Sequence, residues 1–359
     1  MRPIEDYISR IRGADVEAAE TARRIQDTLT KPPGSLGKLE ELSVRLAGAY
    51  GNPRPSIGAK TVFTMAADHG VTAEGVSAYP SEVTRQMVLN FASGGAAINV
   101  LSRHVGADVS VVDMGVASDE DWPGHIVNRK VAMGTKNMAR GPAMSVDEAR
   151  KCLEIGAELA VQAVEGGVSA IAIGDMGIGN TTAASAITSV ITGKTPAEVT
   201  GRGTGIDDTR LRTKVSVIDM AITTNSPDPS NGIDTLSKVG GFEIGGMAGA
   251  VLGAASSGVP VFLDGFVSGS AALIAAVICP KSVDFMIASH LSVEPGHGYV
   301  LDHLGLVPVL DLGMRLGEGT GAVLAFSVAE ASCKILAEMA TFDSAGVSGE
   351  CEEDRAQAR

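Results

Sequence analysis

The segment that decides the fold is residues 168–187, "VSAIAIGDMGIGNTTAASAI". It begins with an almost continuous apolar run, passes through a glycine-rich loop and continues into a stretch rich in alanine. A strand covered on both faces has such a run, whereas a half-exposed strand alternates apolar and polar residues. The segment therefore predicts a buried strand, a loop and a helix.

Four other segments repeat this pattern of a short apolar run that leads into a polar or glycine-rich loop. Strands that alternate with helical stretches predict a mainly parallel, doubly wound α/β sheet, with ligands beyond the carboxyl ends of the strands. A further segment, "VLDLGM" at 309–314, is a candidate sixth strand. The four segments are "KTVFTMAADHG" (60–70), "ADVSVVDMGV" (107–116), "GVPVFLDGF" (258–266) and "VDFMIASHL" (283–291).

Helical patterns occupy both ends of the chain. Ile4, Tyr7, Ile8 and Ile11 repeat at helical spacing, and 322–342 is a long apolar or amphipathic stretch. We expect residues 1–60 and 325–359 to form a small helical domain, and residues 61–324 to form the large α/β catalytic domain.

The composition excludes several classes of protein. Hydrophobic residues make up 45% and charged residues 20% of the 359 residues, as in folded globular proteins. The formal net charge of −13 disfavours a nucleic-acid partner. The N-terminal segment is rich in acids and has no apolar core, so a secretory signal is not predicted.

Residues 244–263 carry no charge and are long enough to span a bilayer, but their glycines and proline favour a buried helix followed by a strand. No membrane span is therefore expected.

Cys152, Cys279, Cys333 and Cys351 show no metal-binding spacing, and we interpret them as free thiols in the cytoplasm.

Two glycine-rich loops are candidate anion sites. The loop in Gly174–Ile187 precedes a helix, whose N-terminus favours an anion, and Asn180, Thr181 and Thr182 are candidate caps. The second, "GRGTGIDD" (201–208), is followed by Lys214. Together they could hold one phosphate, although each could also be a plain turn. Neither matches a dinucleotide or P-loop fingerprint, which disfavours NAD and ATP.

Four segments leave alternatives open. His290, Glu294 and His297 are ligand types for zinc or iron, but Pro295 interrupts them, so a loop lining a polar pocket is favoured and no metal is predicted. Asp68 with His69, and Asp264, follow predicted strands and could touch substrate hydroxyls or only brace loops. Tyr79 and Gln86 are seven residues apart and could share a helical face or pack in the core.

Glu318 stands alone between two glycines at the end of a mostly apolar stretch. Partial burial would raise the pKa of its carboxyl group and make it a better base, and the glycines would leave room for a flat ring. The alternative is a structural carboxylate that caps the following helix.

Taken together, the motifs resemble those of the nicotinate-nucleotide–dimethylbenzimidazole phosphoribosyltransferase family, from about residue 31 to 325. This resemblance implies a Rossmann-like domain, a small helical domain from both termini, a homodimer and no cofactor. It also implies transfer of phosphoribose from nicotinate mononucleotide to 5,6-dimethylbenzimidazole, giving α-ribazole 5′-phosphate and nicotinate. The alternatives are a non-catalytic base-binding sensor and, by fold alone, an NAD-dependent oxidoreductase. The motifs are "KPPGSLGKLE", "AADHGV", "VSAYPSEVTRQM", "GDMGIGNTT", "GRGTGIDD", "FEIGGMAGA", "FLDGF", "SHLSVEPGH" and "LGEGTGA".

The resemblance also implies roles for individual residues. Glu318 corresponds to the general base of the family. Asp175 replaces a glutamate that is usual there and is one methylene shorter, so its acid–base or orienting role stays open. The implied base pocket comprises Tyr79, Gln86, Met176 and Leu316. The implied contacts of the phosphoribosyl group are Gly177, Gly179, Asn180, Thr181, Gly203, Lys214 and Ser292.

Overall fold

A computed structural model describes residues 2–119, 121–203 and 205–348. Within them, six parallel strands form one sheet in the order β3-β2-β1-β4-β5-β6. The chain leaves β1 on one side toward β2 and β3, and resumes on the other side with β4. This reversal creates a crevice at the carboxyl ends of β1 and β4. The strands are β1 (Ala59–Ala67), β2 (Asp108–Gly115), β3 (Val127–Asn128), β4 (Val168–Met176), β5 (Val261–Leu263) and β6 (Met286–Ala288).

Helices cover the sheet and connect its strands, so the prediction of a parallel α/β sheet flanked by helices is confirmed. Two 3₁₀ turns, Gly70–Glu74 and Pro280–Phe285, add to them. The first eight α-helices are α1 (Ile4–Ile8), α2 (Val16–Gln26), α3 (Lys38–Tyr50), α4 (Glu82–Ala92), α5 (Ala97–Val105), α6 (Val146–Glu165), α7 (Asn180–Thr192) and α8 (Pro196–Val199). They are followed by α9 (Asp208–Asn225), α10 (Gly232–Val239), α11 (Phe242–Ser256), α12 (Phe266–Ile278), α13 (Pro295–Leu304), α14 (Thr320–Glu338) and α15 (Phe342–Ala345).

The five principal strand predictions are confirmed, but the sixth is wrong. The sixth strand is Val127–Asn128, which pairs with β2. In the segment 309–314, a single residue, Leu310, forms an isolated parallel bridge with His290. A two-residue edge strand has almost no apolar run of its own, so its sequence carries no strand signal.

The uncharged segment 244–263 is a buried helix and a buried strand. Helix α11 is covered along nearly its whole length and packs against α6, and β5 lies inside the sheet. A Cβ atom on Gly249 would clash with the carbonyl group of Leu153 in α6, so the absence of side chains allows the two helices to approach closely.

By internal contacts the chain forms two compact units, residues 2–13 with 58–327, and residues 14–57 with 328–348. The larger contains the sheet. The smaller contains α2, α3 and α15, and its core includes Ala22, Val44, Ala47 and Leu336. The first helix thus groups with the larger unit, and the domain boundaries at residues 60 and 325 stay a prediction.

Among the described residues, one helix is long and apolar enough to cross a membrane by length and composition alone. It is α14, and 56% of its most apolar window is buried. Core helices of globular proteins pass the same test, so this is weak evidence for a membrane span.

Candidate active site

A cavity of about 400 Å³ opens at the carboxyl ends of β4, β5 and β6. The edge of the sheet brings together loops that are far apart in sequence, as the parallel topology requires. Most of the predicted site residues line this cavity. They are Tyr79, Asp175, Met176, Gly177, Gly179, Asn180, Thr181, Gly203, Lys214, Ser292 and Leu316.

Two predicted residues are not part of the lining. Gln86 lies on α4 with its side chain exposed, and the structure does not place it in the base pocket. Tyr79 precedes this helix, so the spacing of seven residues does not put the two side chains on one helical face. Glu318 directly follows Gly317, which does line the cavity, and is only 5% exposed.

The backbone of Glu318 is in the left-handed region, with φ of +65°. Its neighbours Gly317 and Gly319 have φ of +86° and +98°, so three consecutive residues have positive φ angles. A non-glycine residue pays for such a conformation and keeps it only where the surroundings hold it. Here Glu318 N donates to Asp175 O (3.1 Å), and Thr64 Oγ1 donates to Glu318 O (2.8 Å).

The carboxylate of Glu318 accepts a hydrogen bond from the first turn of α5, and not from α14, the helix that follows Glu318 in sequence. Its Oε2 accepts a hydrogen bond of 3.2 Å from Ile98 N, in the first turn of α5. Burial raises the pKa of Glu318, the nearby charge of Asp264 raises it further, and the bond from Ile98 opposes them. The carboxylate is therefore held in place and made more basic than a free glutamate.

Asp175, at the end of β4, is a second acid with a different environment. Its Oδ2 accepts a hydrogen bond of 2.7 Å from Asn180 Nδ2. Burial raises the pKa of Asp175 to about 8, with further contributions from the charges of Asp264, Glu243 and Glu318, against which the bond from Asn180 acts. At neutral pH this group is mostly protonated, so it can donate a hydrogen bond into the cavity.

The opposite end of the cavity is basic. Lys214 is buried on α9, and its Nζ donates to Thr181 Oγ1 (2.8 Å). Burial lowers the pKa of Lys214 to about 8, and the charge of Glu294 acts against this shift. Arg202 and Arg315 also line this end, and Arg315 Nη1 donates to Gly203 O (2.8 Å).

Sequence reasoning missed both arginines; it expected the loop that carries Glu294 to line a polar pocket, which the structure confirms, but not the contact that Glu294 makes. Arg202 lies inside the second glycine loop and Arg315 lies three residues before Glu318, so a search for cations beside the two motifs would have found them. For Glu294, whose Oε1 accepts from Gly203 N (2.9 Å), the contact spans 91 residues and has no local signal.

Helix α7 begins at the first glycine loop with no side-chain cap. Its N-cap is Gly179, with φ of +95°, so the interpretation of Asn180, Thr181 or Thr182 as caps is wrong. Amide groups in the first turn of a helix attract anions, and no side chain competes for them here. Together with Lys214 and Gly203 this geometry suits a phosphate group.

His290, Glu294 and His297 do not form a metal cluster. His297 Nδ1 accepts from Ser292 N (2.9 Å), and His290 Nε2 lies 3.5 Å from Asp264 Oδ1. Burial lowers the pKa of His297 to about 3, with a smaller effect of His290. Among the described residues, no three His, Cys, Asp or Glu side chains come close enough to hold a metal ion.

Asp68 and His69 brace the crevice. His69 Nε2 lies 2.7 Å from Glu243 Oε1, both side chains are buried, and the His69 ring lies against Gly177. Asp68 Oδ2 accepts a hydrogen bond of 2.8 Å from Ala117 N. Neither residue lines the cavity. Of the two roles left open, a structural one is thus favoured.

Comparison with known proteins agrees with this geometry. Residues 11–347 match the family model described as Phosphoribosyltransferase. A nicotinate-nucleotide–dimethylbenzimidazole phosphoribosyltransferase of Chloroflexus aggregans is 58% identical, covering 97% of this chain and 99% of that one. One of Roseiflexus sp. is 56% identical, over 98% of this chain and 100% of the relative. The crystal structure of CobT from Thermus thermophilus superposes with a TM-score of 0.90 at 47% identity, covering 93% of this chain and 100% of that one. The chain therefore belongs to the nicotinate-nucleotide–dimethylbenzimidazole phosphoribosyltransferase family.

Proposed function

We propose that this chain transfers the 5-phosphoribosyl group of nicotinate mononucleotide to 5,6-dimethylbenzimidazole, giving α-ribazole 5′-phosphate and nicotinate for the lower ligand of cobalamin. The observation that carries the proposal is one cavity with Asp175 at one end, where buried Glu318 directly follows the lining residue Gly317, and with a buried lysine and a bare helix N-terminus at the other. The acidic end can take a proton from a neutral base, and the basic end can bind the phosphate of a phosphorylated sugar.

The reaction breaks one bond at the anomeric carbon and forms another. Nicotinate in its nucleotide is a pyridinium cation, so it takes the electron pair of the C1′–N bond and leaves without protonation. A nitrogen of the benzimidazole attacks the opposite face, and the configuration changes from β to α. The other ring nitrogen must then lose its proton.

Glu318 is the residue that we assign to accept this proton. Its carboxylate is buried, and burial and the charge of Asp264 raise its pKa, which makes it a better general base near neutral pH. The flanking Gly317 lines the cavity and has no side chain to obstruct a flat ring.

Apolar side chains at the mouth of the cavity support the placement of the base. Tyr79 and Leu316 are 54% and 59% exposed, and Met176 lies beside them in the lining. A bound aromatic ring would remove this apolar surface from water, at a gain of roughly 25 cal/mol per Å².

The phosphate is assigned to the basic end, against Lys214, Gly203, Thr181 and Ser292. Binding energy gained there positions the anomeric carbon between the leaving and attacking nitrogens. Asp175 is assigned an orienting role, since a carboxyl group with a pKa of about 8 is a hydrogen-bond donor at neutral pH.

The test is direct. Purified protein incubated with nicotinate mononucleotide and dimethylbenzimidazole should form α-ribazole 5′-phosphate, identified by mass spectrometry and by its α configuration in NMR. Binding of both ligands without product would contradict the proposal and favour the non-catalytic sensor, which the relatives named above do not support.

Two further properties belong to the proposal. We assign the protein to the cytoplasm, because Cys152, Cys279 and Cys333 are buried free thiols; Cys351 lies outside the described residues. We also assign a homodimer, supported by Val307 and Leu312, which are 71% and 57% exposed between α13 and α14. Light scattering that reports a monomer would contradict the dimer.

A further inference from the structure

The carboxylate of Asp264 is almost fully buried and does not line the cavity, yet it accepts three backbone hydrogen bonds. Its Oδ2 accepts from Gly319 N (3.0 Å), and its Oδ1 accepts from Gly321 N (2.7 Å) and Ala322 N (3.1 Å). Asp264 directly follows β5, so its position is set by the sheet.

These bonds fall on the turn that carries Glu318 and on the first residues of α14. Asp264, and not Glu318, caps this helix. From β1, Thr64 Oγ1 holds the carbonyl group of Glu318 itself (2.8 Å). The turn also lies directly on β4, where a Cβ atom on Gly174 would clash with the backbone of Gly319. Two buried polar groups, Thr64 on β1 and Asp264 directly after β5, thus hold a backbone that is strained at Glu318.

We propose that Asp264 and Thr64 are positioning residues of the transfer reaction, which hold the left-handed turn and thereby place the Glu318 carboxylate at the attacking base. This inference rests on the proposed function, with Glu318 as the general base. Displacement of a catalytic group by about 1 Å can cost ~10²-fold in rate.

The charge of Asp264 adds a second effect that can be measured. Glu318 is faced by Asp264 after β5, by Asp175 at the end of β4 and by the amide of Ile98 in α5. His290 lies beside Asp264, and Glu243 with His69 lies behind Asp175. Asp264 raises the pKa of Glu318 and of Asp175, so removal of its charge should lower both.

The experiment is Asp264→Asn. Asparagine has the size of aspartate but no charge, and its NH2 group replaces one of the two oxygens that accept hydrogen bonds from the turn. We expect kcat to fall by about 10- to 100-fold, with KM for nicotinate mononucleotide within about threefold. The acid limb of the kcat profile should move to lower pH, because a less basic Glu318 stays ionised there. A kcat and an acid limb equal to those of the unaltered protein would overturn the inference.

A double variant separates positioning from general damage. Because Asp264 acts through Glu318, Asp264→Asn should cost less than about twofold when Glu318→Gln is already present. An equal loss in both backgrounds would overturn the inference while leaving the proposed function intact. Absence of product from the unaltered protein would overturn both.

Asp113→Asn is the matched control. Asp113 is also buried at a strand end and accepts from Gly115 N (2.9 Å) and Val116 N (2.8 Å), but it does not line the cavity. It should lower the thermal midpoint without moving the acid limb. If Asp264→Asn does not fold, Thr64→Val must lower kcat at constant KM, and an unchanged kcat there would overturn the inference.

Discussion

The two ends of the cavity handle charge in opposite ways. At the end formed by β4, β5 and the Glu318 turn, burial raises the pKa of Asp175 and of Glu318, the charge of Asp264 raises both further, and the charge of Glu318 adds to the shift of Asp175. At the other end, Lys214 is a buried cation with a lowered pKa, beside the uncapped N-terminus of α7. Burial thus shifts Asp175 and Glu318 at one end, and Lys214 at the other, toward their neutral forms.

The difference shows what each end can do. Crowded acids produce a carboxylate that readily takes a proton, which suits the end where the attacking base becomes cationic. A buried lysine with a pKa of about 8 still carries most of its charge at neutral pH and attracts an anion, which suits the end where the phosphate binds. The four variants and conditions below test this division, from the largest expected effect to the smallest.

Glu318→Gln should abolish most of the chemistry at the acidic end. Glutamine keeps the acceptor for Ile98 N but cannot take a proton, and general-base catalysis is typically worth ~10²–10⁴-fold. We expect a loss on that scale in single-turnover rate, with the affinities for both substrates nearly unchanged. Near-normal chemistry would move the base to Asp175 or to a bound water.

Nicotinate riboside lacks the phosphate, so it should react without the binding energy that the basic end of the cavity gives to the nucleotide. We expect kcat/KM to fall on the order of 10²-fold, since each charge-assisted hydrogen bond is worth about 1.5–3 kcal/mol. The advantage of the nucleotide should shrink as pH rises through about 8, where Lys214 loses its proton. Lys214→Met is the control and should flatten this pH dependence. Equal efficiency of riboside and nucleotide would show that the phosphate site lies elsewhere.

Asp175→Asn should cost about tenfold in rate, less than Glu318→Gln, because an amide can still orient a ligand and accept from Asn180. Its effect on stability should depend on pH. The folded-state pKa of about 8 lies above the ordinary 3.8, so the stabilising contribution of the neutral acid is complete at low pH and is lost as pH rises through about 8. Asparagine stays neutral. As pH rises from about 4 to about 8, the melting temperature of the variant should therefore increase relative to that of the unaltered protein.

A larger loss of rate in Asp175→Asn than in Glu318→Gln would exchange the roles of the two acids. A difference in melting temperature that does not change with pH would show that Asp175 is ionised in the folded protein.

Exhaustive chelation should leave the activity within about twofold of its starting value. His290, Glu294 and His297 each lie beside another protein group, Asp264, Gly203 and Ser292 respectively. Activity assays with and without chelator make the comparison. Loss that one divalent ion restores would show that these side chains rearrange around a metal.

Much of the fold followed from local pattern. Buried parallel strands such as β1 and β4 have continuous apolar runs, and a glycine-rich loop that begins a helix is visible in a short stretch of sequence. The edge strand β3 and the segment 309–314 were misjudged for one reason. A two-residue edge strand needs only backbone pairing with a neighbour, and an apolar run whose pairing stops at a single bridge, as at Leu310 and His290, forms no strand.

For the site, the sequence by itself determined the chemical types. A lone glutamate between glycines, two glycine loops and a following lysine can be found without coordinates, and the family resemblance assigns them roles. The tertiary structure alone decided which groups meet. Asp264 reaches the Glu318 turn across more than fifty residues, Thr64 reaches it across more than two hundred and fifty, and Gln86 is left outside the cavity. Hydrogen bonds and pKa shifts act over a few ångströms in space, and only the packing of the sheet and its loops brings such distant residues within that range.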